Sequence, residues 1–281
     1  ELSRRSGVSP DLLRAWERRY GLLQPARSTG GLRLYSETDL LRVRAMQKHL
    51  DSGLAAAEAA AAAIGAGAEP QAGHDFGAMR EELRAALSEF DEMRAHGAFD
   101  AMVSRFSLDN LLQEIVVPYL RELGERWAHG DASVAEEHFA TAMLRGRLLG
   151  LARGWGQGLG PAALLACAPG EQHDLGLIAF GLALRARGWR IVYLGADTPP
   201  ASLADAAHSL RPAWVVVSAV AADALAGDLA ALTGNYRIAV GGNAARHTGV
   251  PPSVLRLTGG PVAEARRLTH LELNQSAALG E

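Results

Sequence analysis

The chain has 281 residues, of which 48% are hydrophobic, and a net charge of −3, so it is long enough to bury two or three domain cores. No apolar run is long enough to span a bilayer, and we therefore expect a cytoplasmic protein without membrane contact. The one cysteine, Cys167, excludes a disulfide framework and indicates a reducing compartment.

Charge is distributed unevenly along the chain. Residues 1–50 contain ten Lys and Arg against five Asp and Glu, a net charge of +5, which leaves −8 for the remaining residues. A basic segment attached to an acidic body predicts that the N-terminal part alone binds a polyanion. Because the sequence begins with Glu rather than Met, we also expect that residues of the natural protein precede it.

The first predicted elements are a helix, a turn and a second helix, over residues 2–6 and 10–20. Ser9 is a suitable N-cap, Pro10 fits the first helical position, and Gly21 fits the C-terminal end of the helix. The apolar residues of the second helix fall at helical spacing and predict a core face, formed by Leu12, Leu13 and Trp16. Its outward face carries three arginines, Arg14, Arg18 and Arg19.

The next segment, residues 25–36, predicts two short strands around the Gly30-Gly31 turn, which together make a wing. Ser36 then begins another helix, and Asp39 three residues later completes a capping box. A helix–turn–helix that is followed by a two-stranded wing is the pattern of a DNA-binding module.

Two stretches of this module, LRAWERRYG at residues 13–21 and GGLRLYS at residues 30–36, resemble the MerR family of winged helix-turn-helix regulators. The resemblance implies a DNA-binding domain over residues 1–70 with a double-stranded DNA operator as partner. It implies that the second helix meets bases or phosphates in the major groove and that the wing contacts the flanking backbone. The implied DNA-contacting residues are Arg14, Arg18, Arg19, Tyr20, Arg27, Arg33 and Tyr35.

The middle of the chain reads as helical. Residues 54–73 are rich in Ala and Gly and predict a helix end that runs into a flexible linker. Residues 75–157 contain long helix-patterned stretches with breaks at Gly97 and Gly130, which predicts a bundle of four or five helices. Pro118 is expected to start or kink one of these helices.

The last part, residues 160–281, predicts a Rossmann-like domain with a parallel sheet. Three apolar runs, at residues 163–168, 215–220 and 238–242, read as buried strands that end in small residues. His173 stands on the loop that leaves the first of these strands. Open α/β sheets bind their ligands at the carboxyl ends of their strands, so this loop is a candidate binding site.

The pattern E-x-H-x-x-G, followed by S-x-V and G-G, resembles the cobalamin-binding domain of methionine synthase and the mutases, whose pattern is D-x-H-x-x-G, S-x-L and G-G. Glu171 replaces the Asp of that pattern, and Val220 replaces its Leu. The resemblance implies that His173 ligates cobalt from below and that the nucleotide tail of the cofactor passes between sheet and helices. The cofactor-binding residues implied in this domain are Glu171, His173, Asp174, Gly176, Ser218, Val220, Gly241 and Gly242.

Trp127, Glu137 and His138 have the spacing W-x9-E-H. This spacing resembles the helical cap of cobalamin-dependent, light-responsive MerR repressors of the CarH/LitR type. The resemblance implies that the Trp covers the upper face of adenosylcobalamin and that the Glu and the His define the adenosyl pocket. One departure is Ala128, which stands where those repressors have a His that ligates cobalt after the adenosyl group is lost. His129 comes one residue later, about 100° around a helix.

Taken together, these features predict a transcriptional repressor, not an enzyme, that senses light through adenosylcobalamin. We expect a homo-oligomer, either a dimer or a tetramer, that releases DNA when light cleaves the cobalt–carbon bond. One alternative is a light-independent cobalamin sensor, which Ala128 favours. Another is a MerR regulator that binds a different tetrapyrrole. A cobalamin-dependent mutase is disfavoured because the chain has no room for a substrate barrel of about 250 residues, and a methyl carrier has no use for a winged helix.

Overall fold

The computed structural model describes residues 2–23, 25–27, 33–51, 56–66, 76–221, 225, 229, 232, 236–247 and 249–278. The chain divides into two compact units, Glu1–Asp75 and Phe76–Glu281. Each unit has its own core of buried apolar side chains. Within the described residues, no helix is both long enough and apolar enough to cross a membrane.

The first unit contains four helices and a two-stranded antiparallel sheet among its described residues. Its elements in chain order are α1 (Leu2–Ser6), α2 (Pro10–Tyr20), β1 (Ala26–Arg27), β2 (Arg33–Leu34), α3 (Glu37–Asp51) and α4 (Ala56–Ala66). The order helix, helix, wing, helix agrees with the sequence prediction for this segment.

The ends of these helices follow the predicted capping chemistry. The Ser9 side chain accepts a hydrogen bond from the amide of Leu12 at 3.3 Å, and Gly21 takes a left-handed conformation with φ of 65°. Ser36 and Asp39 form the predicted capping box. The Ser36 amide donates to Asp39 Oδ2 at 2.8 Å, and the Asp39 amide donates to Ser36 Oγ at 3.1 Å.

The predicted core face of α2 is partly wrong. Leu13 and Trp16 are buried, but Leu12 is 44% exposed. Successive residues of a helix are about 100° apart, so Leu12 falls at the edge of a core face that contains Leu13. The arginines of this helix, Arg14, Arg18 and Arg19, are exposed as predicted.

The second unit begins with packed helices. They are α5 (Phe76–Ser88), α6 (Glu92–Arg105), α7 (Leu108–Asn110), a π-helical segment (Leu111–Val116), α8 (Val117–His129) and α9 (Val134–Leu151). Pro118 lies in the first turn of α8, directly after the π-helical segment. A proline has no amide hydrogen to give to the carbonyl four residues earlier. That carbonyl, of Glu114, accepts a hydrogen bond from Arg80 Nη1 at 3.4 Å instead.

A five-stranded parallel sheet follows, with strand order β4-β3-β5-β6-β7. The strands are β3 (Ala162–Cys167), β4 (Arg190–Gly195), β5 (Trp214–Ser218), β6 (Ile238–Gly241) and β7 (Leu255–Arg256). The helices packed with them are α10 (Leu175–Arg185), α11 (Pro200–Leu210) and α12 (Pro261–Ala278). Because β4 and β5 lie on opposite sides of β3, the order of strands reverses there, and the crevice above β3 and β5 is where such sheets bind ligands.

The two faces of the sheet are buried differently. Leu164 and Val215 point to one face, where they pack with Leu203 of α11. Leu165 and Val216 point to the other face, where the apolar core continues through α10 into the helices α5 to α9. The helical part and one face of the sheet therefore share a single core.

Candidate functional site

A mostly apolar cavity of about 690 Å³ lies in the second unit, between the helices and the carboxyl ends of the strands. Its lining comes from α8 and α9, from the loop between β3 and α10, from the first turns of α10, from β5 and the end of β6, and from residues 257–264. The structure brings to this cavity most of the residues that the sequence singled out for a cofactor. They are Trp127, Glu137, His138, His173, Asp174, Gly176, Ser218, Val220, Gly241 and Gly242.

The imidazole of His173 enters this cavity from the loop after β3, and its side chain is 78% exposed. Glu171, which is buried beside it, holds it in place. Glu171 Oε1 lies 2.7 Å from His173 Nδ1 and also accepts the His173 amide at 2.8 Å. The other carboxylate oxygen, Oε2, accepts the amide of Val220 at 2.7 Å, which joins this loop to the end of β5.

The protonation of Glu171 follows from these contacts. Burial on its own raises the pKa of a carboxyl group, but the hydrogen bonds from His173 and Val220 have the larger combined effect and hold the pKa of Glu171 below its usual value. An ionised carboxylate at Nδ1 places the imidazole hydrogen on that nitrogen. The lone pair of Nε2, which has no partner among the described residues, is then available to a metal.

Small residues keep the strand ends and the start of α10 open. A side chain at Gly242, where φ is 76°, would place its Cβ 2.3 Å from the carbonyl oxygen of Ala219, so only glycine fits where β5 and β6 end. At Gly176 and Gly241, a Cβ would meet nothing within 4 Å. Both of these glycines line the cavity. The floor of the cavity can therefore receive a broad, flat group in contact with the backbone.

Asp174, next to His173, is 1% exposed and points away from bulk solvent. Its Oδ2 accepts hydrogen bonds from Arg145 Nε at 2.7 Å and from Tyr193 Oη at 2.5 Å. Burial, followed by the hydrogen bond to Asp174, raises the pKa of Tyr193, so its phenol remains protonated and acts as the donor. The sequence resemblance placed Asp174 among cofactor-binding residues, and the structure adds this ion pair to α9.

The opposite side of the cavity is formed by the end of α8 and the start of α9. Trp127 is 54% exposed, whereas the four other tryptophans are at most 8% exposed. Glu137 Oε1 accepts a hydrogen bond from Thr141 Oγ1 at 2.8 Å, and Glu137 Oε2 lies 3.5 Å from His138 Nε2. An indole left exposed over an apolar cavity is an unused contact surface for a ligand.

Ala128 and His129 do not line the cavity. The ring of His129 is turned to its own helix, with Nδ1 2.7 Å from the carbonyl oxygen of Glu125. The sequence interpretation did not name several other residues that line it, among them Arg121 and Val134. Helical spacing carried the signal for Arg121, which lies three residues before Gly124 on α8, as Gly124 lies three residues before Trp127.

The donor set narrows the kind of ligand that fits. Among the described residues, no group of three or more His, Cys, Asp or Glu could hold a metal ion. One exposed imidazole with a free nitrogen suits a metal whose other ligands come with it, as in a macrocycle. The glycine-lined floor and the exposed Trp127 offer the two flat surfaces that such a macrocycle needs.

In the first unit, the exposed arginines of α2 make few contacts, and those contacts are with neighbouring residues of the same helix. Arg14 pairs with Asp11 at 2.5 Å, and the guanidinium of Arg19 lies 5.6 Å from the centre of the Tyr20 ring. Arg18 is exposed on the same helix. These cations therefore remain available to a polyanion.

Glu17 joins the wing to α2. Arg33 Nε donates to both carboxylate oxygens of Glu17, at 3.2 and 3.1 Å, and the hydroxyl of Tyr35 donates to Oε2 at 3.4 Å. Arg27 lies in β1, but its side chain is outside the described part of the chain. The wing residues Arg33 and Tyr35 thus share one carboxylate on the second helix.

Comparison with known protein families divides the chain into three matched segments. Residues 1–63 match the family described as MerR HTH family regulatory protein. Residues 79–149 and residues 161–272 match two families that are each described as a B12 binding domain. The cavity lies between the two B12-binding segments, since its lining comes from both.

Among curated proteins, the chain is 34% identical over 259 residues to the HTH-type transcriptional repressor CarH of Myxococcus xanthus, which covers 86% of this chain and 87% of that protein. It is 34% identical over 226 residues to the HTH-type transcriptional repressor CarA of the same organism. That match covers 79% of this chain and 76% of that protein. Over 47 residues it is 47% identical to the HTH-type transcriptional regulator MlrA of Escherichia coli, which covers 17% of this chain and 19% of that one.

Among solved structures, the monomethylamine corrinoid protein of Methanosarcina barkeri superposes with a TM-score of 0.55. The match covers 69% of this chain and 99% of that protein at 14% sequence identity. At this level of identity the likeness concerns the fold alone, and it agrees with a Rossmann-like sheet beneath a helical layer.

Proposed function

Because the chain belongs to the family of CarH-type, cobalamin-binding MerR regulators of transcription, we propose that it is a light-responsive repressor that uses adenosylcobalamin as its sensing ligand. The winged helix of residues 1–70 binds the operator. The helical cap of residues 75–157 and the Rossmann-like domain of residues 160–281 enclose the cofactor. The observation that carries this proposal is the His173–Glu171 pair, whose free Nε2 lies in the cavity where the strand order reverses.

Each side of the cavity has its own task in this proposal. On the sheet side, His173 would ligate the metal, and the open positions at Gly176 and Gly241 would accept the body and the tail of the cofactor. On the helical side, Trp127 and the Glu137–His138 pair would contact the upper group. When bound, adenosylcobalamin supplies a cobalt–carbon bond that visible light breaks.

The regulation follows from linkage. A ligand that binds only the assembled, DNA-bound state stabilises that state, and its loss removes the stabilisation. In this proposal, the adenosyl form promotes a dimer or tetramer that presents several winged helices to a repeated operator. Several weak modules on one scaffold bind DNA far more tightly than one module alone.

The position of Ala128 favours a second candidate, a cobalamin sensor that does not respond to light. The ring of His129 bonds to Glu125 and does not line the cavity, so the described residues offer no imidazole on the helical side other than His138. In this candidate, DNA binding depends on whether the cofactor is present and not on illumination.

One experiment separates the two candidates. The purified full-length chain is loaded with adenosylcobalamin in the dark, and its mass in solution and its affinity for operator DNA are measured before and after green light. The proposal predicts a larger assembly and tighter DNA binding in the dark, both lost on illumination. Equal assembly and equal affinity in dark and light, with cofactor bound in both, would favour the light-independent sensor.

A further inference from the structure

Asp174 begins helix α10 but does not cap it. Asp is a favoured N-cap residue because its side chain can accept a hydrogen bond from an amide in the first turn, which contributes about 1 kcal/mol. The Asp174 side chain makes no such bond. Its carboxylate is instead committed to Arg145 and Tyr193. Because the Asp174 side chain bonds to Arg145 and Tyr193 and not to an amide of its own helix, we infer that these two long-range bonds stabilise the structure more than an N-cap bond would.

The three residues come from three different parts of the second unit. Arg145 lies on α9, Asp174 lies on the loop that carries His173, and Tyr193 lies on β4. The carboxylate is almost fully buried, so it needs a compensating charge, and Arg145 supplies it. Arg145 itself is 44% exposed and can be hydrated without Asp174. Loss of Arg145, which leaves the buried carboxylate of Asp174 without a compensating charge, is therefore more damaging than loss of Asp174.

Helix α9 extends from this ion pair to the opposite side of the cavity. Glu137 and His138, which line the cavity, lie about two turns before Arg145 on the same helix. The same short loop is bonded to the end of β5 through Glu171 and Val220. A shift of the loop that carries His173 therefore acts directly on the helix that forms the upper pocket.

We propose that Arg145, Asp174 and Tyr193 form a positioning cluster that couples the placement of His173 below the cofactor to the placement of α9 above it. The proposal rests on the proposed function, since it assigns these residues a role toward a bound cobalamin. The coupling is reciprocal, as any coupling between two binding sites must be. A better upper contact at Glu137 and His138 strengthens ligation by His173, and ligation by His173 strengthens the upper contact.

The test uses the full chain and the variant Arg145→Met, with Arg147→Met as the matched control. Arg147 lies on the same helix and pairs with Asp100 of α6, and its guanidinium lies 4.9 Å from the centre of the Phe99 ring. Within the part of the chain that the structure describes, Arg147 makes no hydrogen bond or ion pair with the loop that carries His173. Each protein is titrated in the dark with adenosylcobalamin and with methylcobalamin, which differ only in the upper group. Absorption spectra report whether the imidazole ligates the cobalt.

We expect Arg145→Met to weaken adenosylcobalamin binding by about tenfold, as loss of a residue that supports a metal ligand does. The preference for adenosylcobalamin over methylcobalamin should fall as well, and the spectra should shift toward cobalt without the protein imidazole. Arg147→Met should change none of these. Arg145→Lys should recover part of the loss, because the contact uses a single N–H donor of the arginine. Tyr193→Phe, which removes one hydroxyl, should give a smaller shift in the same direction.

Two kinds of failure are distinguishable. A parent protein that takes up no cobalamin would refute the proposed function. A parent that binds, together with an Arg145→Met variant that keeps the parent's preference and spectrum, would refute the coupling.

Amide hydrogen exchange in cobalamin-free protein gives a second measurement. Exchange in the loop at residues 171–174 and in the first turn of α10 should increase in Arg145→Met and stay unchanged in Arg147→Met, and equal exchange in both variants would also refute the coupling.

Discussion

The two sides of the cavity are built differently. On the sheet side, the polar side chains next to His173 have fixed partners: Glu171 is bonded to the imidazole and to β5, and Asp174 is bonded to α9 and β4. On the helical side, Trp127 is 54% exposed and His138 is 75% exposed. In the proposed function, the sheet side is thus preorganised to hold His173 as a metal ligand, whereas the helical side can adapt to the upper group. Affinity should depend mainly on the first side and selectivity mainly on the second.

The largest effect is expected from His173→Ala. Replacing a residue that only supports a metal ligand lowers affinity by about 10- to 100-fold, so loss of the ligand itself should lower it by at least about 100-fold. Equilibrium titration of each protein with adenosylcobalamin in the dark measures this loss. Because the His173 side chain is 78% exposed, the variant should unfold at the same temperature as the parent when no cofactor is present. If His173→Ala bound adenosylcobalamin as tightly as the parent does, His173 would not be the cobalt ligand.

A smaller loss is expected from Glu171→Gln. A glutamine has one acceptor oxygen, and so it cannot serve the imidazole, the His173 amide and the Val220 amide together. Affinity should fall by about tenfold. The same titration, made alongside His173→Ala, ranks the two changes. If Glu171→Gln were the more damaging of the two, the carboxylate would have a role of its own and would not act through the imidazole.

Trp127→Ala tests the helical side. The exposed indole contributes little to the fold, so its loss should leave the thermal stability of the cobalamin-free protein nearly unchanged. It should reduce the preference for adenosylcobalamin over methylcobalamin by about fivefold, which corresponds to the roughly 1 kcal/mol typical of an aromatic contact. The ratio of the two dissociation constants is the readout. A uniform loss for both cobalamins would mean that Trp127 contributes affinity and not selectivity, and the contrast between the two sides would fail.

The smallest effect is expected from Ala128→His. This change adds an imidazole on the last, exposed turn of α8, beside Trp127. A second imidazole on the helical side should slow the loss of cobalamin from the protein after illumination, without changing dark affinity. Dialysis of illuminated samples measures the rate of loss, and Ala128→Gln controls for side-chain size. An equal rate in the His and Gln variants would show that position 128 is too far from the metal to matter.

Much of the fold was readable from local sequence signals. The caps at Ser9, Gly21 and Ser36 fix the helices of the first unit, and apolar runs that end in small residues predict β3, β5 and β6. The strand β4 was not predicted, because it lies at the edge of the sheet and its residues alternate irregularly between buried and exposed. The two-residue strand β7 is too short to give a periodic signal.

The site was predicted less completely than the fold. The motifs around His173 and Gly242 fall within short stretches of sequence, so they could be recognised before the structure was known. The bond between Arg145 and Asp174 joins residues 29 positions apart, and the bond between Tyr193 and Asp174 joins residues 19 positions apart. No local sequence pattern predicts either of these two bonds. The bond between Arg145 and Asp174 depends on how α9 packs over the sheet, which the periodicity of α9 alone does not determine.

Ligation of the cobalt by His173, and not by the cofactor's own base, is the central feature of the proposed function. Electron paramagnetic resonance of the Co(II) form of cobalamin, bound to the full chain, tests it directly, because the axial nitrogen splits each cobalt line. We predict that labelling the protein with ¹⁵N changes this splitting from a triplet to a doublet and that His173→Ala abolishes the change. A triplet that persists in labelled protein would show that the axial nitrogen belongs to the cofactor, which would contradict the central claim.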